Sequence, residues 1–188
     1  VRGRLSSSLC HRLAVGNPRV FVKNGFRESP NTAVHILLDS SGSMTDSGLM
    51  LANAVCYAVG KALQGISGVN LGITAFPGAN RAKRGTTVAP VLRHGEKLTA
   101  RFPEIAYGMT PMAESLWWVM QQMCLLRENR KIILIITDGE PDSIPAAQEA
   151  FKQAQKKGFE CYGLGIMCSS IATLLPHTSR VIETLPQL

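Results

Sequence analysis

Three short segments carry the oxygen chemistry of this chain. The first is Asp39-Ser40-Ser41-Gly42-Ser43, the second is Thr110 just before Pro111, and the third is Asp138 followed by Gly139. Carboxylates and hydroxyls are hard oxygen donors, the kind that Mg²⁺ takes in sixfold coordination while keeping some of its water. Ser41 and Ser43 are two residues apart, so both hydroxyls can reach one ion from a tight loop, with Gly42 easing the turn between them. Asp39 and Asp138 supply two negative charges to balance the ion, and Thr110 offers a third hydroxyl. Neutral hydroxyl ligands leave a cation electrophilic, so a carboxylate from outside can complete its shell once water is excluded. Each segment alone also reads as ordinary turn or cap grammar; the combination points to a metal site.

The elements around these segments place all three at strand ends or helix starts. Ala33 to Leu38 reads as a buried strand running into the Asp39 loop. A helix follows from about Ser47 to Leu63, with Leu49, Ala52, Cys56, Val59 and Leu63 facing inward. Leu71 to Phe76 and Thr86 to Leu92 read as strands, separated by the basic loop 79–85. A short helical piece is expected around 98–105. Thr110 reads as an N-cap and Pro111 as the first position of a long helix. Ala113, Leu116, Trp117, Met120 and Cys124 form that helix's expected buried face. Lys131 to Thr137 is the strongest strand pattern and ends at Asp138. A helix over Ser143 to Lys157, a strand over Glu160 to Met167, a short helix over Ser170 to Leu174 and a strand over Arg180 to Glu183 complete the series. This alternation implies an α/β fold: a doubly wound, mostly parallel central sheet with helices on both faces. Ligands in such sheets bind beyond the carboxyl ends of the strands.

These residues carry a family resemblance. DSSGS resembles the Asp-x-Ser-x-Ser signature of the metal-ion-dependent adhesion site of von Willebrand factor type A (VWA) domains. Thr110 matches that site's later threonine, and Asp138 in ITDG matches its last aspartate. The likeness implies a Rossmann-like VWA fold from about residue 33 onward. It implies direct ligation by Ser41, Ser43 and Thr110, with Asp39 and Asp138 acting largely through water, and Mg²⁺ as the cofactor, with Mn²⁺ or Ca²⁺ as alternatives. It further implies a protein partner that presents Asp or Glu to the metal. RKIILIITDGEPD, with RVFVKNG shortly before HILLDSSGSM, is similar to the VWA subunit of aerobic cobaltochelatase and its bacterial relatives. In those systems the VWA protein works with a MoxR-type AAA+ ATPase, so an adaptor role toward such an ATPase is the expectation. A non-catalytic subunit of an ATP-dependent cobalt chelatase is the alternative.

Composition narrows the remaining classes. At 188 residues the chain can bury a core without disulfide staples. Residues 1–30 hold six basic residues against one acid and so carry +5 of the net +7. They are expected to form a basic N-terminal extension, helix plus short strand, leading into a VWA domain over 31–188. Leu5, Leu9 and Leu13 supply the helical stripe. A basic arm can bind nucleic acid, which is a third reading, although no named nucleic-acid motif accompanies it. Val1 in place of Met suggests a piece of something longer. No apolar run is long enough to span a bilayer. Five cysteines without a CxxC pair, with Cys56, Cys124 and Cys161 inside apolar patterns, read as buried thiols in a reducing cytoplasm. Neither a phosphate-binding GxxxxGK[ST] loop nor a GxSxG elbow occurs, so no intrinsic catalytic centre is expected. His35, in a buried strand, reads as a satisfied core residue. Glu140 and Asp142 read as a solvated acidic turn, or as groups that tune the site's field or meet the partner.

Overall fold

The computed structural model describes residues 4–5, 12–16, 21–22, 30–44, 46–78, 88–99 and 101–182. Two short strands, β1 (Arg4–Leu5) and β2 (Phe21–Val22), pair antiparallel by themselves. The main sheet has six strands: β3 (Thr32–Asp39), β4 (Val69–Phe76), β5 (Ala89–Leu92), β6 (Arg130–Thr137), β7 (Phe159–Ile166) and β8 (Ser179–Ile182). Their spatial order is β5-β4-β3-β6-β7-β8. All neighbours run parallel except the β4–β5 pair at one edge.

Among the described residues four helices cover the sheet: α1 (Asp46–Gln64), α2 (Met112–Cys124), α3 (Ile144–Lys156) and α4 (Ser170–Leu174). Leu49, Ala52 and Cys56 of α1 pack with Ile36, Leu38 and Ile73 on one face. The other core joins Leu116 and Met123 of α2, Ala150 and Phe151 of α3, and Ile171 of α4 to Leu37, Ile133 and Ile135. Both faces of β3 are therefore covered, and all eight of its residues are buried. The doubly wound expectation holds. Its switch point lies between β3 and β6, where the crossovers leave in opposite directions and a crevice opens at the carboxyl ends. No described helix is long and apolar enough to cross a membrane.

Four expectations are corrected. The leucine stripe over 4–14 does not give one helix: Arg4–Leu5 is a strand, and among the described residues of this stretch 12–15 form a 3₁₀ turn. A helix that short is marginal alone, and strand pairing with a segment 17 residues downstream satisfies the backbone instead. The described residues of 98–105 form no helix and are irregular. In α2 the inward stripe is Met112, Leu116, Val119, Met120 and Met123. Trp117 is 43% exposed, and half-buried Trp118 packs on the core in its place. Cys124 is exposed as well, unlike buried Cys56 and Cys161. Finally, α2 begins one residue later than expected. Pro111 sits at the N-cap without a side-chain cap bond, so Thr110 lies outside the helix. The basic loop 79–85, Thr86 and the end of the last strand at Glu183 lie outside the described residues.

His35 is buried and satisfied: its Nε2 lies 2.9 Å from Thr74 Oγ1 and its Nδ1 lies 3.0 Å from His94 Nε2. Gly72, opposite His35 on β4, makes room for this pair, because a Cβ there would meet His94 Nε2 at 2.6 Å.

Candidate metal centre

Asp39 is the last residue of β3 and is fully buried. Its Oδ1 accepts the Ser41 backbone N–H at 2.8 Å, and its Oδ2 accepts the Thr137 hydroxyl from the end of β6. Burial raises its pKa to about 6, against the lowering effect of the Thr137 and Ser41 hydrogen bonds; the nearby Asp138 charge adds to the rise. Asp138, half-buried just past β6, is also pushed up, chiefly by burial, while the bond from Ser43 pulls it down. Among the described residues neither of these two carboxylates at the switch point has a cationic partner. Among the described residues the one salt bridge is Arg130–Glu160, on the surface.

The hydroxyls link these carboxylates. Ser41 Oγ lies 2.9 Å from Ser43 Oγ, and Ser43 Oγ donates to Asp138 Oδ1 at 3.0 Å. Ser41 is buried and Ser43 exposed, so the row of oxygens climbs from the sheet to solvent. Thr110, buried, reaches the same place: a Cβ at Gly139 would lie 3.0 Å from Ser43 Oγ and 4.0 Å from Thr110 Oγ1. Gly139 therefore keeps open a space that both hydroxyls border. Asp39, Ser41, Ser43, Thr110 and Asp138 are all brought together at one end of the sheet.

Several residues without an assigned role from the sequence hold this arrangement. Thr137 orients Asp39. Ser40 turns away from the oxygen row: its N–H and Oγ both donate to Phe76 O, at 2.7 and 3.2 Å. Its carbonyl accepts the Tyr107 N–H at 3.0 Å, and Gly42 N–H donates to Gly108 O at 3.0 Å, which stitches the DSSGS loop to the loop carrying Thr110. Gly42 thus matters less for bending between the serines than for this approach, since a Cβ would sit 3.2 Å from Gly108 O. Gly108 has φ +78°, a conformation natural to glycine. Asp142 is exposed, yet it is tied to the site by two hydrogen bonds. Its Oδ1 accepts the Thr110 N–H at 2.7 Å, and its own N–H donates to Thr110 O at 3.0 Å. This two-way clip fixes Thr110 at the site in place of helix capping. Asp-x-x-x-Asp from residue 138 was the only sequence signal for it.

Residues 33–185 match the family model of the von Willebrand factor type A domain. The chain belongs to the VWA domain family. Among solved structures, this VWA domain is similar to the manganese-loaded TRAP protein of Plasmodium vivax (13% identity, TM-score 0.62, covering 81% of this chain and 68% of that one). It is also similar to a conserved hypothetical protein, BatB, from Bacteroides thetaiotaomicron (16%, 0.58, 83% and 92%). A third likeness is to proximal thread matrix protein 1 of the mussel byssus with a zinc-occupied MIDAS motif (12%, 0.66, 85% and 43%). At these identities the likenesses show the VWA fold. No curated protein matches the chain.

The oxygen set suits a divalent ion. In an octahedron with ligands at ~2.1 Å, neighbouring oxygens lie about 3 Å apart. The Ser41–Ser43 spacing of 2.9 Å meets that requirement, and Asp138, 3.0 Å from Ser43, stands where it can back the site.

Proposed function

We propose that Ser41, Ser43 and Thr110, backed by Asp39 and Asp138, hold one divalent cation, Mg²⁺, and that the domain uses it to grip a carboxylate on a protein partner. The observation that carries this reading is the row of oxygens joining Asp39 to Asp138 through Ser41 and Ser43, open to solvent at Ser43. A bound cation would supply positive charge to two buried or half-buried carboxylates, and an electrophilic corner for an incoming oxygen. The chain's own residues do the rest. Thr137 and the Ser41 N–H orient Asp39, Asp142 fixes Thr110, and Gly139 keeps the mouth open. The metals named for the Plasmodium and mussel structures, manganese and zinc, support a divalent site on this fold.

The finer reading, an adaptor that docks on a MoxR-type AAA+ ATPase in the cytoplasm, rests on the likeness of HILLDSSGSM and RKIILIITDGEPD to ATPase-associated VWA proteins. Four free thiols among the described residues accord with that compartment.

Calorimetric titration of the EDTA-stripped chain with MgCl₂ tests the metal. One saturable site is expected, lost or weakened at least about tenfold in Thr110→Ala. A parent protein that takes up no Mg²⁺ or Mn²⁺, or a Thr110→Ala variant with parental affinity, overturns the assignment. For the partner, an ATPase of this class encoded beside the chain should bind it in Mg²⁺ and release it in EDTA.

A further inference from the structure

Apart from the oxygen row, two histidines turn their rings toward each other on the α2 side of the sheet. His35 lies in the middle of β3 and His94 lies two residues past β5. His35 Nδ1 and His94 Nε2 are 3.0 Å apart. His35 is 3% exposed and His94 is half-buried. Gly72 shows that these two nitrogens converge on one point. The position its Cβ would take lies 2.6 Å from His94 Nε2 and 2.8 Å from His35 Nδ1. The glycine thus leaves a cradle that both nitrogens border. Both rings also line a cavity of about 460 Å³, with Thr74, Trp118 and Gln122 among its other walls.

Burial holds both rings neutral near pH 7, so each carries one N–H and one lone pair. Thr74 Oγ1, 2.9 Å from His35 Nε2, can accept a proton donated by that nitrogen. With His94 protonated at Nδ1, the two facing nitrogens both present lone pairs, and a cation between them relieves their repulsion. Neutral imidazole is the form that metals bind, and a hydrogen bond at the far nitrogen orients a ligating ring. Glu128 favours positive charge at His94. Arg93, the one charged residue lining the cavity, is exposed to solvent.

We propose that His35 Nδ1 and His94 Nε2 hold a nitrogen-preferring divalent cation, Zn²⁺, independently of the hydroxyl site. Zn–N bonds of ~2.0–2.1 Å place neighbouring nitrogens about 3–3.4 Å apart, depending on coordination number. The 3.0 Å spacing meets that requirement without movement of either strand. Among the described residues no third His, Cys, Asp or Glu joins the pair, so water takes the remaining corners. Binding releases no proton: one that bridges the rings in the metal-free protein moves to the far nitrogen of the ring that carries it. The cation would tie the end of edge strand β5 to central strand β3.

The test uses the full chain with ¹⁵N-labelled histidine in excess Mg²⁺, titrated with ZnCl₂. Long-range ¹H–¹⁵N imidazole spectra read the rings alone and are blind to zinc held by thiols. The signals of His35 Nδ1 and His94 Nε2 are expected to shift together and saturate, with the N–H of each ring on its other nitrogen. Exposed His177 should not follow them. MgCl₂ alone should move neither ring, because Mg²⁺ prefers oxygen. His94→Gln should weaken the Zn²⁺ affinity read at His35 at least about tenfold, and Thr74→Val, which removes the orienting partner, should weaken it by about tenfold. Backbone amide spectra check the fold of both variants, and the parent titration decides the matter without them. A bridging proton that Zn²⁺ does not displace, an imidazole–imidazole hydrogen bond only, overturns the proposal. So does a shift at His94 without one at His35, a response that never saturates, or parental affinity in both variants.

Discussion

Asp39 and Thr137 stand 98 residues apart in the chain, yet the Thr137 hydroxyl donates to the Asp39 carboxylate one step beyond the Leu38–Ile136 pair of adjacent strands. This bond is where the sheet's register meets the candidate site. It holds the one fully buried carboxylate of the site in place and keeps its pKa from rising further. Thr137→Val preserves shape and removes the donor. It is expected to cost about 1.5–3 kcal/mol of stability, the range for a hydrogen bond to a charged group, and to weaken Mg²⁺ binding near neutral pH. Urea unfolding with an unchanged slope, beside calorimetry, measures both. Thr137→Ser should recover most of the affinity, because it restores the hydroxyl.

Asp39 also predicts an unusual pH trend for the metal-free protein. Its folded pKa, about 6, lies above the unfolded value of ~3.9. The folded state therefore holds the proton more tightly, and the linked stability is present below about pH 4 and lost as pH rises through 6. Asp39→Asn mimics the neutral form and can keep the Ser41 contact. In EDTA at pH 8 this variant should be more stable than the parent, by about 1–3 kcal/mol, while binding no Mg²⁺. A variant less stable than the parent in EDTA would show that the buried charge is already compensated.

Saturating Mg²⁺ should reverse that balance in the parent. At a hundredfold excess over Kd, stabilisation of about 2.7 kcal/mol is expected. Gly139→Ala should remove most of it, because the new Cβ would lie 3.0 Å from Ser43 Oγ and displace that hydroxyl. In EDTA the same variant should unfold within about 1 kcal/mol of the parent, since Gly139 is a half-buried loop residue. Gly165→Ala is the contrasting control: its Cβ would meet the Cys168 backbone oxygen at 2.1 Å, so it should lose stability with or without metal. Paired thermal melts with and without Mg²⁺ separate the two.

His35 should behave in the opposite sense to Asp39. Burial, with the neighbouring His94, lowers its pKa to about 3, below the unfolded ~6.5. The neutral ring is favoured in the fold, so stability is full above pH 6.5 and falls by up to about 1.4 kcal/mol per pH unit as acid is added toward 3. Burial lowers the pKa of His94 as well, against the raising effects of Asn70 and Glu128. The C2 proton of His35 should show a flat NMR shift from pH 8 to 4.5; a midpoint near 6.5 would mean the ring is open to water. The acid limb measured in Asp39→Asn isolates the histidine contribution from the carboxylate's.

The sequence by itself determined the fold class and the edge of the sheet at which five oxygen-bearing side chains meet. Asp39, Ser41, Ser43, Thr110 and Asp138 were legible because each sits at the end of a strong strand pattern or the start of a long helix. A parallel α/β sheet gathers such positions at one edge. Local periodicity also placed α1, α3, α4 and the central strands to within about two residues. What only the tertiary structure decided were pairings across distance. Helical spacing was met equally by a stripe through Trp117 and Cys124 and by one through Val119 and Met123, and only the surfaces facing α2 chose between them. Arg4 and Leu5 left a helical stripe because Phe21 and Val22 offered their backbones. Thr137, Ser40 and Asp142 gained their roles from partners 32 to 98 residues away. Hydrogen bonds of that kind follow from where two strands or loops come to rest, which no window along the chain contains.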